Sequence, residues 1–492
     1  MSDAFVIVGA GPAGMRAAER LVQAGVRPIV VDEAQRFGGQ IYRQPPEGML
    51  RDRRDLYGFE AGRASAVLDR FQSLRPHIDY RPETLVWQVE ANALQLLRAG
   101  RTTTQAFDAL ILATGATDRV LPFPGWTLPG VYTLGAAQVA LKYQATLIGP
   151  RVVFAGTGPL LYLVAWQYAS HGGEVAAVLD SAPLSAKLRA APGMLTRPAV
   201  AAKGAYFLAR LKLMGIAVHG GVTLVKAEGK DRVTSLTWQA GGNTVTTECD
   251  AIGFGHGLRS ETQLADLAGC AFDWNEIDQA WLPRRHAGDR SSVPGVYLAG
   301  DGAGILGADA AELSGATAAQ SALDDSSERQ RTSTARAMAE ANGPSAQTVS
   351  SGPGGHCGPA PHFTVEPAMQ PHIAFRRALE TAFAPPATWA AEAPDSLILC
   401  RCEEITAGTL RACVRDTNAR EVNRLKALTR IGMGRCQGRM CAPAAARLLA
   451  HATSQPLKDV GRLRTQAPVK PLPIAMLHET APATLVPADE DD

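Results

Sequence analysis

Over residues 1 to about 323, short apolar runs alternate with longer segments whose apolar residues recur at helical spacing. "AFVIV", "PIVVD", "DALILA", "RVVFAG", "EVAAVLD" and "GVYLAG" read as short buried strands, and several are followed by amphipathic helical text. Strand, helix and strand in succession predict an α/β architecture. The pattern then fades. Residues 324 to 361, "DDSSERQRTSTARAMAEANGPSAQTVSSGPGGHCGPAP", are rich in Ser, Gly, Ala and Pro and predict a flexible linker with a frayed helix near its start. Residues 362 to 455 return to helical periodicity, and the Pro-rich text from 456 to the acidic end at 492 predicts an extended tail.

The first strand leads into a dinucleotide signature with its context complete. Gly9, Gly11 and Gly14 stand in G-x-G-x-x-G spacing, a helix runs to about Ala24, and a second strand ends on Asp32. Gly9 permits the tight turn, Gly11 lets backbone approach a pyrophosphate, and Gly14 lets helix and strand pack closely. The phosphates then lie at a helix N-terminus, where free N–H groups and the dipole favour negative charge. Asp32 stands at the usual distance for gripping a ribose hydroxyl, with Glu33 as the neighbour that could substitute.

Three later features select a flavin over a nicotinamide. "FGGQIYR" places Gly38, Gly39 and Gln40 to run backbone beside the cofactor; "DALILATGA" gives a strand and a tight turn at Thr114 and Gly115; "GVYLAGDGAGILG" gives a strand ending in Gly300 and Asp301 before a small-residue helix. Pro12, Ala13, Arg43 and Val86 complete the expected cofactor-binding set. Together these resemble the FAD domain of the two-dinucleotide-binding-domain flavoproteins, such as the glutathione and thioredoxin reductases. That resemblance implies that Asp301 holds the ribityl–phosphate portion of FAD and that the helix beginning near Gly307 points its N-terminus at the flavin.

"RVVFAGTGPLLYLVAWQYASHGGEVAAVLD" repeats the layout with Gly156 and Gly158 but puts Leu161 where the third glycine belongs. A bulky side chain there pushes the helix off the strand or demands compensating packing. Asp180 ends the second strand and suits a 2′-hydroxyl better than a 2′-phosphate. A second Rossmann-like, NAD(P)-binding-like domain is therefore expected at 120–245, inserted into an FAD-binding domain made of 1–119 and 246–323. Its site either works with NAD, holds another nucleotide such as ATP or ADP, or is vestigial. Residues 1 to 330 contain no C-x-x-C or C-x4-C pair, which excludes disulfide reduction beside the flavin. Cys249 and Cys270 read as core residues. His256, in "GFGHGLRS", is a candidate for redox tuning near the flavin edge, with a core or surface histidine as the other reading.

Composition narrows the class. At 492 residues two to four domains are expected, and a net charge of +2 argues for neither nucleic acid nor an anionic membrane as partner. The sequence shows neither a signal peptide nor an apolar run of membrane-spanning length, so a cytoplasmic protein is expected, with any membrane association made through partners. Reduced thiols in that compartment more often bind metal than pair. Four of the eight cysteines crowd together: Cys400 and Cys402 as C-x-C, Cys436 and Cys441 as C-x4-C, with helical text between, the first helix capped by Thr406. Four thiolates from two loops suit structural zinc or a [2Fe–2S] cluster, and the unequal hooks fit zinc poorly. Cys413 lies in the intervening helix and reads as packing.

"CRCEEIT" and "IGMGRCQGRMC" resemble the bacterioferritin-associated-ferredoxin (BFD) type of [2Fe–2S] domain. With the FAD half and the GD motif, the chain resembles the larger, FAD-carrying chains of opine oxidases and of heteromeric proline and hydroxyproline dehydrogenases, and the B chain of hydrogen cyanide synthase. The likeness covers residues 4 to 323 and 397 to 450. It implies cluster ligation by Cys400, Cys402, Cys436 and Cys441, FAD as cofactor, and as an optional addition FMN at a subunit interface. It also implies a smaller amino-acid-oxidase-type flavoprotein partner, and optionally a small ferredoxin-like subunit. The expected function is relay of electrons from oxidation of a C–N bond in an amino acid, opine or related amine. The alternatives are a stand-alone NAD(P)H-dependent flavin or ferredoxin reductase, and a non-catalytic nucleotide-binding assembly subunit.

Overall fold

The computed structural model describes residues 3–49, 51–341 and 367–473. Cys357, the end of the expected linker and the last part of the tail lie outside them.

The glycine-framed strand Phe5–Val8 lies at the centre of a five-stranded sheet. Its neighbours are Ile29–Val31 and Ala109–Leu112, with Asp79–Arg81 and Val296–Leu298 at the edges, all parallel. Phe5–Val8, Ala109–Leu112 and Val296–Leu298 are buried on both faces, which explains why they read as continuous apolar runs rather than alternating ones. Helix Pro12–Gln23 packs against the small-residue helix Ala308–Ala341. A Cβ at Gly315 would lie 2.0 Å from the Ala13 carbonyl oxygen, so that close approach requires glycine.

The second sheet orders its parallel strands Val218–Gly220, Glu174–Asp180, Arg151–Thr157, Ala251–His256 and Val131–Thr133. Strand Ala251–His256 pairs with Arg151–Thr157, so the inserted unit continues past the expected boundary at 245. The antiparallel hairpins over 223–248 delay the chain before it closes this sheet, and the apolar run "AIGF" alone does not say which sheet it joins.

Two further expectations change. The helix from Ala308 runs unbroken to Ala341, well into the segment expected as linker; its Ala-rich composition sustains it, and Arg290 holds Asp325 by paired hydrogen bonds. Residues 456–473 have no regular structure, yet they are docked rather than free: Val460 and Val469 are buried, Arg462 donates to both oxygens of Asp266, and Lys470 pairs with Glu33. The cysteine domain is not a separate bead either. Leu399, Cys400, Leu425 and Leu448 share one apolar core with Trp126, Phe254 and Trp238 of the inserted domain, and Trp126 Nε1 donates to the Ile398 carbonyl at 2.6 Å.

Candidate functional site

Gly9 adopts a φ of +106°, and a Cβ there would lie 2.3 Å from the Ala113 carbonyl oxygen; one at Gly14 would lie 1.8 Å from the Gly9 oxygen. No larger residue allows this turn. The helix that follows begins with Pro12, has no side-chain cap and carries no acid in its first turn, so its first N–H groups have no side-chain partner among the described residues. Gly39 approaches from the other side: a Cβ there would meet Gly11 Cα at 2.8 Å.

Asp32 accepts from the backbone N–H groups of Ala10 and Ala34 at 2.5 and 2.7 Å, which ties the glycine turn to the loop after the second strand; burial raises its pKa. Glu33 is exposed and held by Lys470 from the C-terminal segment. Arg43 donates to the exposed Gln40 at 2.9 Å while its Nε is buried without a partner. Val86 is buried in strand Thr84–Glu90, next to a register shift. At the far end Asp301 Oδ1 accepts from the N–H groups of Leu306 and Gly307 at 2.9 and 3.1 Å, and its Oδ2 makes no hydrogen bond among the described residues. Gly300, with φ +67°, brings this loop against Ala13. A phosphate-receiving helix end, an unpartnered buried guanidinium nitrogen and an open carboxylate oxygen fit a dinucleotide.

The second glycine turn repeats the strand–turn–helix layout, with Gly158 at φ +111° where Gly11 has −80°, and has a different outcome. Gly156 lies against Gly255, where a Cβ would come within 1.8 Å of the carbonyl oxygen. Leu161 is fully buried with Leu134, Phe154 and Val164, so the bulky residue is met by compensating packing; Gly253 makes room for the Phe154 ring in this layer. Asp180 is fully buried and already engaged: Tyr162 and Lys187 hold Oδ2, and the Ala182 N–H donates to Oδ1 at 2.9 Å. Helix Gln370–Ala382 lies along the same edge. Its Glu380 accepts from Arg119 at 3.1 Å, Phe383 meets the Tyr162 ring at 6.4 Å, and Lys187 lies 5.6 Å from both rings. The acid that would take a ribose hydroxyl is thus already satisfied by protein groups. His256 ends the strand opposite Thr157, at this second turn rather than at the flavin edge. Burial first, then Arg119 and Arg447, push its pKa down to about 3, so the ring is neutral.

The four cysteines converge. Sulfur contacts run from Cys400 to Cys441, from Cys441 to Cys436 and from Cys436 to Cys402. The Cys441 S–H together with the N–H groups of Glu403, Gly432 and Cys402 lowers the Cys400 pKa to about 6 against burial; the Cys441 S–H and the N–H groups of Met440 and Gly438 lower that of Cys436 to about 5. Such donors favour thiolates at Cys400 and Cys436, while burial raises the pKa of Cys402, and donation to Cys400 and Cys436 with burial raises that of Cys441. Among the described residues no three ligand groups converge on one ion position. The contacts link Cys400, Cys441, Cys436 and Cys402 in one chain, so four sulfurs stand together, the number that a [2Fe–2S] cluster takes. Gly434 is needed here, since a Cβ would meet that of Cys402 at 2.3 Å.

Glu261, which the sequence did not single out, joins the two sites. Its N–H donates to the Gly115 carbonyl at 2.9 Å, its carbonyl accepts from Thr114 Oγ1 at 2.6 Å, and its carboxylate pairs with Arg439, between Cys436 and Cys441, at 2.8 Å. Gln263 adds a hydrogen bond to the Gln437 carbonyl at 2.7 Å.

Residues 3–339 match the family described as pyridine nucleotide-disulphide oxidoreductase, and residues 398–451 match the BFD-like [2Fe–2S] binding domain. The chain is thus an α/β oxidoreductase of that fold closed by an iron–sulfur domain, and the two matches imply FAD and a [2Fe–2S] cluster as its cofactors. It is 34% identical to the A subunit of opine oxidase from Agrobacterium tumefaciens, over 97% of this chain and 92% of that one. It is 35% identical to hydrogen cyanide synthase subunit HcnB of Pseudomonas protegens, over 96% of each. Both relatives are, by name, subunits of larger enzymes, and the chain belongs to the family they form. The crystal structure of L-proline dehydrogenase from P. horikoshii shares the fold at 17% identity and TM-score 0.64, covering 96% of this chain and 79% of that one. Among the described residues no helix is long and apolar enough to cross a membrane.

Proposed function

We propose that this chain is the FAD- and [2Fe–2S]-carrying subunit of a heteromeric dehydrogenase that oxidises a C–N bond of an amino acid, opine or related amine. In this reading the amine reacts on a smaller amino-acid-oxidase-type flavoprotein partner, and the present chain relays the electrons to an acceptor. FAD supplies a two-electron carrier and the cluster a one-electron carrier. The chain's own residues bind and align them. The Gly9–Gly14 turn and the Pro12 helix end receive the pyrophosphate, Asp301 fixes the loop at the far end, and the four cysteines ligate the cluster.

The observation that carries the reading is the Glu261–Arg439 pair. It clamps the cysteine loop onto the Thr114–Gly115 turn, as a relay requires and a purely structural nucleotide site does not. Helix Gln370–Ala382 across the second glycine turn counts against the NAD(P)H reductase. The test is Cys436→Ser. The wild-type chain should hold one FAD and about two irons, giving an EPR signal on one-electron reduction; the variant should lose iron and signal and keep its FAD. A chain without iron, or a variant that keeps the signal, would refute the assignment.

A further inference from the structure

A cavity opens between the FAD domain and the cysteine domain. It measures about 140 Å³, room for on the order of ten waters, and Gly432, Gln437 and Gly438 of the cysteine loop form part of its wall. Its lining combines Arg119, Arg259, Arg447 and Arg462 with the indoles of Trp274 and Trp281.

The carboxylates in reach are already engaged. Glu380 holds Arg119 and Arg376, Asp278 holds Arg376, Asp266 holds Arg462 and Arg464, and Glu261 holds Arg439. Arg447 makes no hydrogen bond or ion pair among the described residues, and burial, then Arg119, lower its pKa to about 10. Arg259 donates only to the Arg439 carbonyl, at 3.1 Å. Arg447 and Arg259 are withdrawn from water while their nearest carboxylates, Glu380 and Glu261, are bonded to other arginines, and a bound anion lowers that cost. Two further lining groups lack partners: Trp281 Nε1 and Gln263 Oε1 are buried and unbonded. Leu282, Leu457 and Leu463 make the remaining wall apolar.

We propose that this cavity is a binding site for a small organic anion, its phosphate or carboxylate held by Arg447 and Arg259 and its flat or apolar body lying against Trp274 and Trp281. A bare ion satisfies the arginines but leaves the apolar wall wet; a neutral ring does the reverse. The site needs neither a partner chain nor electron transfer, so it stands or falls apart from the relay reading.

The experiment is calorimetric titration of the FAD- and iron-loaded chain, with tryptophan fluorescence as a second readout. The probes are phenyl phosphate, benzoate and inorganic phosphate. At least one ring-bearing anion should bind tenfold or more tighter than inorganic phosphate, and which one does separates an organic phosphate from a carboxylate. Arg447→Met should weaken that probe at least tenfold while FAD and iron content stay at the wild-type level, and Arg447→Lys should restore part of the loss. Should Arg447→Met fail to fold, Trp281→Phe serves: it keeps the ring, removes the N–H and should weaken the same probe severalfold. Absence of binding, phosphate binding as tightly as any ring-bearing anion, or unchanged affinity in the variant tested would each overturn the proposal.

Discussion

Single residues decide what each half of the molecule does. His256 shows this most clearly. Its ring is 4% exposed, its Nδ1 has no partner, and two arginines lie close. The folded pKa, about 3, lies below the value of about 6.5 in the unfolded chain. Between those values the unfolded state binds the extra proton, so stability falls as pH falls, by at most ~1.4 kcal/mol per pH unit. His256→Phe should therefore flatten the acid limb of a denaturation profile between pH 6 and about 4. An unchanged slope would mean that the ring is solvated in the fold. The sequence offered both a flavin-edge and a core or surface reading for His256, and the structure buries it; the choice was not legible because a histidine after an apolar run does not say which sheet the run enters. The sequence marked the four cysteines and the glycine turns correctly as neighbours, since spacing along the chain fixes those contacts. Glu261 carried no such mark: its partner Arg439, inside the cysteine motif, lies 178 positions away, and spacing along the chain does not show a contact at that range.

At the scale of elements, the central strands and the first helix of both nucleotide-binding folds were legible from periodicity, because those strands are buried and that helix follows a glycine turn. What packs across those folds was not. Helix Gln370–Ala382 reads as an ordinary amphipathic helix; only folding brings its Glu380 to Arg119 and its following Phe383 to Tyr162, while Ala378 fits against Gly193. The consequence is measurable. NADH at concentrations on the order of 1 mM should leave the oxidised flavin spectrum unchanged and give no saturable heat. Stoichiometric bleaching by NADH would show that this helix leaves the second turn open. The C-terminal segment teaches the same lesson: its prolines and charges predicted a free tail, yet Arg462 and Lys470 find Asp266 and Glu33 on the FAD domain.

For the whole molecule, three units share surfaces that a string of independent domains would lack. The cysteine domain shares a core with the inserted domain and is clamped to the FAD domain through Glu261 and Gln263. Fixed geometry of this kind holds two redox sites at a constant separation. The exposed apolar residues Leu184, Leu188 and Leu213 lie instead on the inserted domain. The measurement that bears most directly on the relay is purification of this chain, gently and without oxygen, from its native host, followed by identification of what co-elutes. A second flavoprotein chain in fixed ratio, with an amine reducing the flavin and then the cluster, is the predicted result. A chain that elutes alone, carrying FAD and iron and reduced by NADH, would contradict it and restore the autonomous reductase.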